Sequence, residues 1–291
     1  MARGIAARLA ASGIHTVVLV RRREVVAAAE ADIGARIGRI GTRGGPVRVH
    51  ASVGDLEPPF GLAVESVAEE LEAKRAVLAR AEALLADDGI LTSNTSSLPL
   101  SALGGSLARP ERFAGWHWFN PAELVPLVEV VAAPQTAPAV VERLLALSRT
   151  IGKEPVAVRR DVPGFVANRL QYALLREAYA LVESGVCDVD DVDRAVVSGL
   201  GARWAAIGPF ASMDAAGLEV HEAVAAQLFP QLSRSTAVPP LLRELRRRGA
   251  TGARGGSGLR GTYGPGAARR LDEQRDATLA LLGCARRESA A

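Results

Sequence analysis

The chain has 291 residues, a length that suits about two domains, each able to bury its own core. At 48% hydrophobic and 23% charged it is ordinary for a globular protein, and a formal charge of +3 with scattered arginines and sparse aromatics argues against a nucleic-acid partner. No apolar run approaches the ~20 residues of a membrane span and no charged-then-apolar leader is visible, so the expectation is a cytoplasmic protein without a membrane partner. Cys187 and Cys284 lack the spacing of a disulfide framework or a metal site, so no metal is expected either.

The first ten residues, Met1 to Ala10, are helical in composition, with Ile5 and Leu9 on one face and Gly13 placed to stop the helix. His15 to Val20 then reads as a short buried strand of a parallel sheet. A dinucleotide-binding fold opens one strand earlier, on a strand that ends in a Gly-x-Gly-x-x-Gly turn. Loss of that central strand would leave backbone unpaired on two neighbours. The expectation is a native start upstream of Met1; an intact protein from the natural host that begins at Met1, seen by mass spectrometry, would defeat it. After Val20 comes Arg21-Arg22-Arg23, where such folds usually carry an acidic residue for the adenosine ribose. Arginine cannot accept those hydrogen bonds and suits a 2′-phosphate, so NADP competes with NAD at this point.

Glu24 to Ile40 predicts a helix interrupted by Gly34 and Gly38 and ended by the Gly41–Pro46 turn, with a strand at 47–51 and no chemistry assigned to His50. Phe60 to Val67 is an inner strand, and 69–86 a helix whose early acidic residues suit its dipole. Asp87-Asp88-Gly89 is expected to turn the chain into Ile90–Asn94, the strand that delivers Ser96 to the carboxyl edge of the sheet. Capping before Leu98 is the plain alternative for Thr95-Ser96-Ser97.

The stretch from Ser93 to Val131 carries the chemistry. His117 lies between Trp116 and Trp118, and Glu129 is a lone carboxylate in the apolar run 124–131; both are costly to bury unless paired. If the two runs are neighbouring strands, Glu129 accepts from one imidazole nitrogen and leaves the other free as a base near neutral pH. A satisfied core histidine and a glutamate at a strand end is the competing explanation. A helix at 137–151 and a strand at 155–159 follow. The remainder reads as helical, at 163–184, 188–199, 217–229, 239–248 and 266–284, which places the domain division near Arg160: residues 1–160 and 161–291. Asp188 to Asp193 lacks the glycine and terminal glutamate of a calcium loop and reads as an acidic helix start.

Four blocks carry a family resemblance: Asn94-Thr95-Ser96-Ser97, His117-Trp-Phe-Asn120-Pro, Pro126-Leu-Val-Glu129-Val-Val, and Asp161-Val-Pro-Gly-Phe-Val-Ala-Asn168-Arg169. With Gly208-Pro209-Phe210 and Asp214-Ala-Ala-Gly217-Leu218 they resemble the 3-hydroxyacyl-CoA dehydrogenase family over nearly the whole chain. Met1-Ala2-x-Gly4-Ile5-Ala6 is similar to the last part of that family's glycine-rich turn, without the first strand and first two glycines. The resemblance implies an α/β Rossmann-like doubly wound parallel sheet, its first strand missing, followed by an all-helical C-terminal domain that forms a homodimer. It also implies hydride transfer between NAD(P) and the 3-hydroxyl of an acyl thioester, on coenzyme A or an acyl-carrier protein. His117 would be the base, held by Glu129, with Ser96 and Asn168 on the substrate; Met1, Ala2, Gly4, Arg21, Glu69, Lys74, Asn94 and Asn120 would face the cofactor. The short segment before residue 47 speaks against ordinary coenzyme A binding and leaves a carrier-tethered or free hydroxy acid open. A non-catalytic dimeric module without the glycine turn is the reading from another class.

Overall fold

The computed structural model describes residues 1–42 and 44–289; Arg43, in the expected Gly41–Pro46 turn, and the Cys284 side chain lie outside the described parts. The chain forms two compact units, Met1–Arg169 and Leu170–Ala291. In the first, α1 (Ala2–Ala11) leads into β1 (Thr16–Leu19), α2 (Val26–Ile40), β2 (Val47–His50) and β3 (Phe60–Glu65). Then come α3 (Leu71–Glu82), β4 (Leu85–Ser93), α4 (Leu100–Gly104), β5 (Phe113–Trp118), β6 (Leu127–Ala132), α5 (Pro138–Thr150) and β7 (Glu154–Val158).

The strands form two sheets, one of β1 and β2 and one ordered β3-β4-β5-β6-β7, all parallel except the β5–β6 pair. Among the described residues β1 pairs only with β2, and β3 only with β4. One side of β1 and one side of β3 therefore have no strand partner among the described residues. Cohesion between the sheets comes from α1. Its Ile5 and Leu9 enter the core of Trp116, Trp118, Val128, Val130, Leu144 and Ile151, while Ala6 and Ala7 pack with Ala29, Ile33 and Val49. The small alanines let α1 approach α2 closely, and the branched residues fill the space over the larger sheet. The opposite face of that sheet is covered by Leu78, Leu100, Leu103 and Phe165 against Leu91, Phe113 and Val131.

One local expectation fails. Asp87-Asp88-Gly89 does not turn the chain into a strand but lies inside β4, which starts at Leu85. The register with β3 jumps from Phe60↔Leu85 to Leu62↔Ile90, and this bulge leaves Asp87 and Asp88 exposed without ending the pairing.

The division between units falls at Arg169, beyond Arg160, because the start of α6 (Ala167–Glu183) is tied to β6. The second unit continues with α7 (Val189–Ala195), α8 (Ala202–Ala206), α9 (Pro209–Ala216), α10 (Leu218–Leu228), α11 (Pro240–Arg247) and α12 (Ala267–Ser289). Asp188 caps α7, its carboxylate accepting the Asp191 N–H at 2.8 Å, as an acidic helix start should. The unit is helical except for a short ribbon, β8 (Ser257–Gly258) with β9 (Gly261–Thr262), between the helices expected at 239–248 and 266–284. From Leu170 on, Ser212 and Ala250 are the buried residues among the described side chains.

Candidate active site

Strand alternation sends Trp116 and Trp118 into the core beneath α1 and α5, and His117 to the other face. In the antiparallel β5–β6 ladder His117 is the direct partner of Glu129. Imidazole Nδ1 lies 2.8 Å from Glu129 Oε2, and the other carboxylate oxygen accepts the N–H groups of Val166 and Ala167, each at 2.9 Å. Burial alone would raise the Glu129 carboxyl; the hydrogen bonds from His117, Ala167 and Val166 outweigh it and hold the group below the usual carboxylate range. An ionised Glu129 requires Nδ1 to carry the proton, which makes Nε2 an acceptor. Nε2 has no hydrogen-bond partner among the described residues, while the rings of Phe119 and Phe165 stand edge-on to the imidazole at 4.6 and 5.5 Å.

Phe165 is the one described non-glycine residue with a left-handed backbone, φ 48°, and it is buried. Such a conformation costs of order 1–3 kcal/mol, and it is repaid here by aiming two successive N–H groups at Glu129. Asn168 follows in the first turn of α6, half-buried, its amide making no hydrogen bond among the described residues. The first unit therefore brings Asn168 close along the chain to the groups that hold Glu129.

A second polar cluster sets the loop after β4. Glu69 accepts from Thr95 Oγ1 at 2.6 Å, from the N–H of Ser96 and Ser97 at 2.8 and 2.9 Å, and from Ser97 Oγ at 3.1 Å. Burial pushes its carboxyl up, but the bonds from Thr95, Ser96 and Ser97 and the charge of Lys74 bring it down to about 2. Ser96 is half-buried with a hydroxyl that makes no hydrogen bond among the described residues. Lys74 is 1% exposed at its side chain, and its ammonium meets both oxygens of Glu65, the Val67 carbonyl and Glu69, so it organises Glu69 from beneath. Glu65, overlooked in the sequence, is the buried centre of this cluster and also accepts from Ser93 Oγ and the Val67 N–H. Its signal was available: like Glu129, it is a lone carboxylate in an apolar strand. Asn94 Oδ1 accepts the Trp118 N–H at 2.8 Å, which ties the end of β4 to the end of β5 beside His117.

Two of the remaining candidates follow the carboxyl ends of strands. Asn120 is exposed just after β5, and Arg21 is exposed just past β1. Met1 is the N-cap of α1, without a side-chain cap, and the N–H groups of Ala2 and Arg3 have no partner among the described residues. Gly4 lets α1 lie against the Pro121–Glu123 turn; a Cβ there would come 2.6 Å from Glu123 Oε2.

Residues 1–162 match the model of the 3-hydroxyacyl-CoA dehydrogenase NAD-binding domain, and 164–260 match the C-terminal domain of the same enzymes. The chain belongs to the 3-hydroxyacyl-CoA dehydrogenase family. It is 38% identical over 267 residues, 89% of this chain and 86% of the relative, to 5-formyl-3-hydroxy-2-methylpyridine 4-carboxylate 5-dehydrogenase of Mesorhizobium japonicum. It is 41% identical over 158 residues, 54% of this chain and 49% of that protein, to the mitochondrial hydroxyacyl-coenzyme A dehydrogenase of Sus scrofa. Among solved structures, a dehydrogenase of the same pyridine carboxylic acid, described as an NAD+-dependent dismutase, superposes with a TM-score of 0.90 at 35% identity over 96% of this chain and 93% of that one. The (S)-3-hydroxybutyryl-CoA dehydrogenase of Ralstonia eutropha gives 0.72 at 25% identity over 91% and 95%.

Members of this family are NAD-dependent oxidoreductases, and NAD is the cofactor that goes with the fold. The residues present fit a dinucleotide at the bare start of α1, where unpaired N–H groups and the helix dipole favour a pyrophosphate. They fit it also at the carboxyl edge of the sheet, where Asn94, Ser96 and Asn120 stand.

Proposed function

We propose that the chain oxidises a hydroxyl carbon, or the hydrate of an aldehyde, on a small free carboxylic acid, with His117 as the general base. The observation that carries the base assignment is the buried 2.8 Å contact between His117 and an ionised Glu129, with Nε2 left open. NAD, when bound, supplies the hydride acceptor. As the C–H bond breaks, Nε2 of His117 takes the hydroxyl proton, and Glu129 stabilises the imidazolium that forms. Ser96, whose hydroxyl is uncommitted, and the amide of Asn168 are the groups proposed to orient the reacting oxygen and the neighbouring carbonyl or carboxylate. Asn120 is proposed to lie beside the nicotinamide. A free acid is favoured because the relative that spans 89% of this chain is named for a pyridine carboxylate. The connection from α2 to β2 is also short, with little chain to hold a coenzyme A. An acyl thioester is the second reading, favoured by the family model itself. A cytoplasmic place of action accompanies either.

The test follows NADH formation with 3-hydroxybutyryl-CoA, free 3-hydroxybutyrate and hydroxymethyl- or formyl-substituted pyridine carboxylates, for the protein and for His117→Ala. Turnover of the free acids is expected, falling ~100- to 10,000-fold in the variant while NADH binding, read by fluorescence, stays within a few-fold. Turnover of the thioester alone transfers the assignment to the second reading. A variant that keeps most of its rate makes His117 structural.

A further inference from the structure

Lys153 is 4% exposed and takes no part in the proton chemistry described above. It stands just before β7, with its Nζ 2.5 Å from the carbonyl oxygens of both Ala122 and Val125 and 5.0 Å from the centre of the Trp118 ring. Those carbonyls belong to the connection 119–126, which joins the strand of His117 to the strand of Glu129. Phe119, the first residue of the connection, places its ring against the imidazole, and exposed Asn120 follows.

The other side of the connection is held as well. The Glu123 carboxylate, fully buried, receives Arg36 Nη1 at 2.9 and 3.0 Å and Arg39 from α2. Arg8 of α1 approaches from a third direction. Its Nε donates to the Ile151 carbonyl at 2.5 Å, and its guanidinium fills the space that a Cβ on Gly152 would need. Burial, then the positive charge of Arg8, push the Lys153 ammonium down to about 7, with Glu123 opposing them. A leucine or methionine would fill this volume without that penalty. What lysine adds is a pair of donors for two inward-facing carbonyls of one connection.

We propose that Lys153 is a positioning residue for the active site: by holding the Ala122 and Val125 carbonyls it fixes the connection 119–126, and with it Phe119 and Asn120, against the His117–Glu129 pair. Its consequence for turnover rests on His117 being the base; its consequence for the position of the imidazole does not. The Met1 ammonium, lowered by burial and by the charge of Arg36, also feels Glu123, so the lysine is followed at its own Nζ and not by any titration near 7 in this cluster.

The experiment compares the full chain with Lys153→Met and Lys153→Arg by far-UV circular dichroism, His117 imidazole NMR, NADH titration and Michaelis parameters. For a folded Lys153→Met, the imidazole resonances should move and kcat should fall ~10-fold or more, with the NADH Kd within a few-fold. Lys153→Arg, which keeps a cation and its donors, should recover part of the loss. Unchanged imidazole resonances and kcat in Lys153→Met overturn the proposal. Should that variant fail to fold, the unmodified protein decides: the Phe119 and Asn120 amides and the His117 ring should shift with the Lys153 Nζ midpoint, and a lysine that titrates without moving them overturns it equally. A His117→Ala variant that retained turnover would end the base assignment and leave this spectroscopic test standing.

Discussion

Glu129 answers three donors with two oxygens, and a neutral amide cannot replace it. In Glu129→Gln one of the buried donors, His117 Nδ1–H or an N–H of Val166 or Ala167, would face an NH2 group. The expected loss is about 3–5 kcal/mol, read from urea unfolding at neutral pH, because a buried charged partner is removed from groups arranged around it. The depressed carboxyl also sets the pH window. Its stabilisation is complete above the unfolded carboxyl value near ~4.3 and drains away as pH falls below it, so the gap between variant and parent should narrow toward acid. This pair was legible in the sequence because a histidine between two tryptophans and a carboxylate in an apolar run have few inexpensive fates. Phe165 was not, since an aromatic side chain gives no sign of a left-handed backbone. The ion pair of Lys74 was not legible for a related reason: a charged residue early in a helix looks the same whether it reaches out or folds back onto Glu65.

At the scale of elements, the loop after β4 takes most of its anchoring from Glu69, just ahead of α3. Glu69→Ala frees the N–H groups of Ser96 and Ser97 and the Thr95 hydroxyl, and should cost ~1–3 kcal/mol while raising hydrogen exchange in residues 95–98 more than in β5. An equal rise throughout the sheet would mean that the loop has no separate anchor. Strand edges make a second prediction. With one side of β1 and one side of β3 unpaired, amides of β1 and β2 should exchange before those of β4, β5 and β6, which lie inside the larger sheet. Most of these elements were readable from their patterns, apolar runs in β5 and β6 and helical spacing in α5. The short helices α4, α8 and α9 escaped because one or two turns carry too little periodic signal, and the β4 bulge escaped because two aspartates and a glycine read as a turn.

For the whole molecule, the second unit presents a physical problem that the first does not. Phe210 is 84% exposed and Tyr172 68%, with Leu170, Val197, Leu218 and Phe229 also on the surface, while the unit buries few residues of its own. So many exposed apolar side chains are a liability in a free monomer. We propose, in keeping with the sequence resemblance, that a second copy of the chain covers part of this surface in a twofold dimer. Sedimentation equilibrium should give twice the mass of 30.4 kDa, and Phe210→Glu should shift the equilibrium toward monomer; a monomer at all concentrations would refute the proposal. The Rossmann-like architecture was implied by the family resemblance, and the order of apolar runs and helices agreed with it. Which apolar residues would face a second copy was not legible, because Leu241, Leu242 and Leu245 would look the same facing an internal neighbour or a second chain.

The most direct test of the account is the tautomer of His117, read from the nitrogen chemical shifts of its imidazole in the free protein at neutral pH. The expected result is a proton on Nδ1, shared with Glu129, and a bare Nε2 ready to accept. A ring protonated on Nε2 with Nδ1 bare, or one whose resonances do not respond to Glu129→Gln, would contradict it.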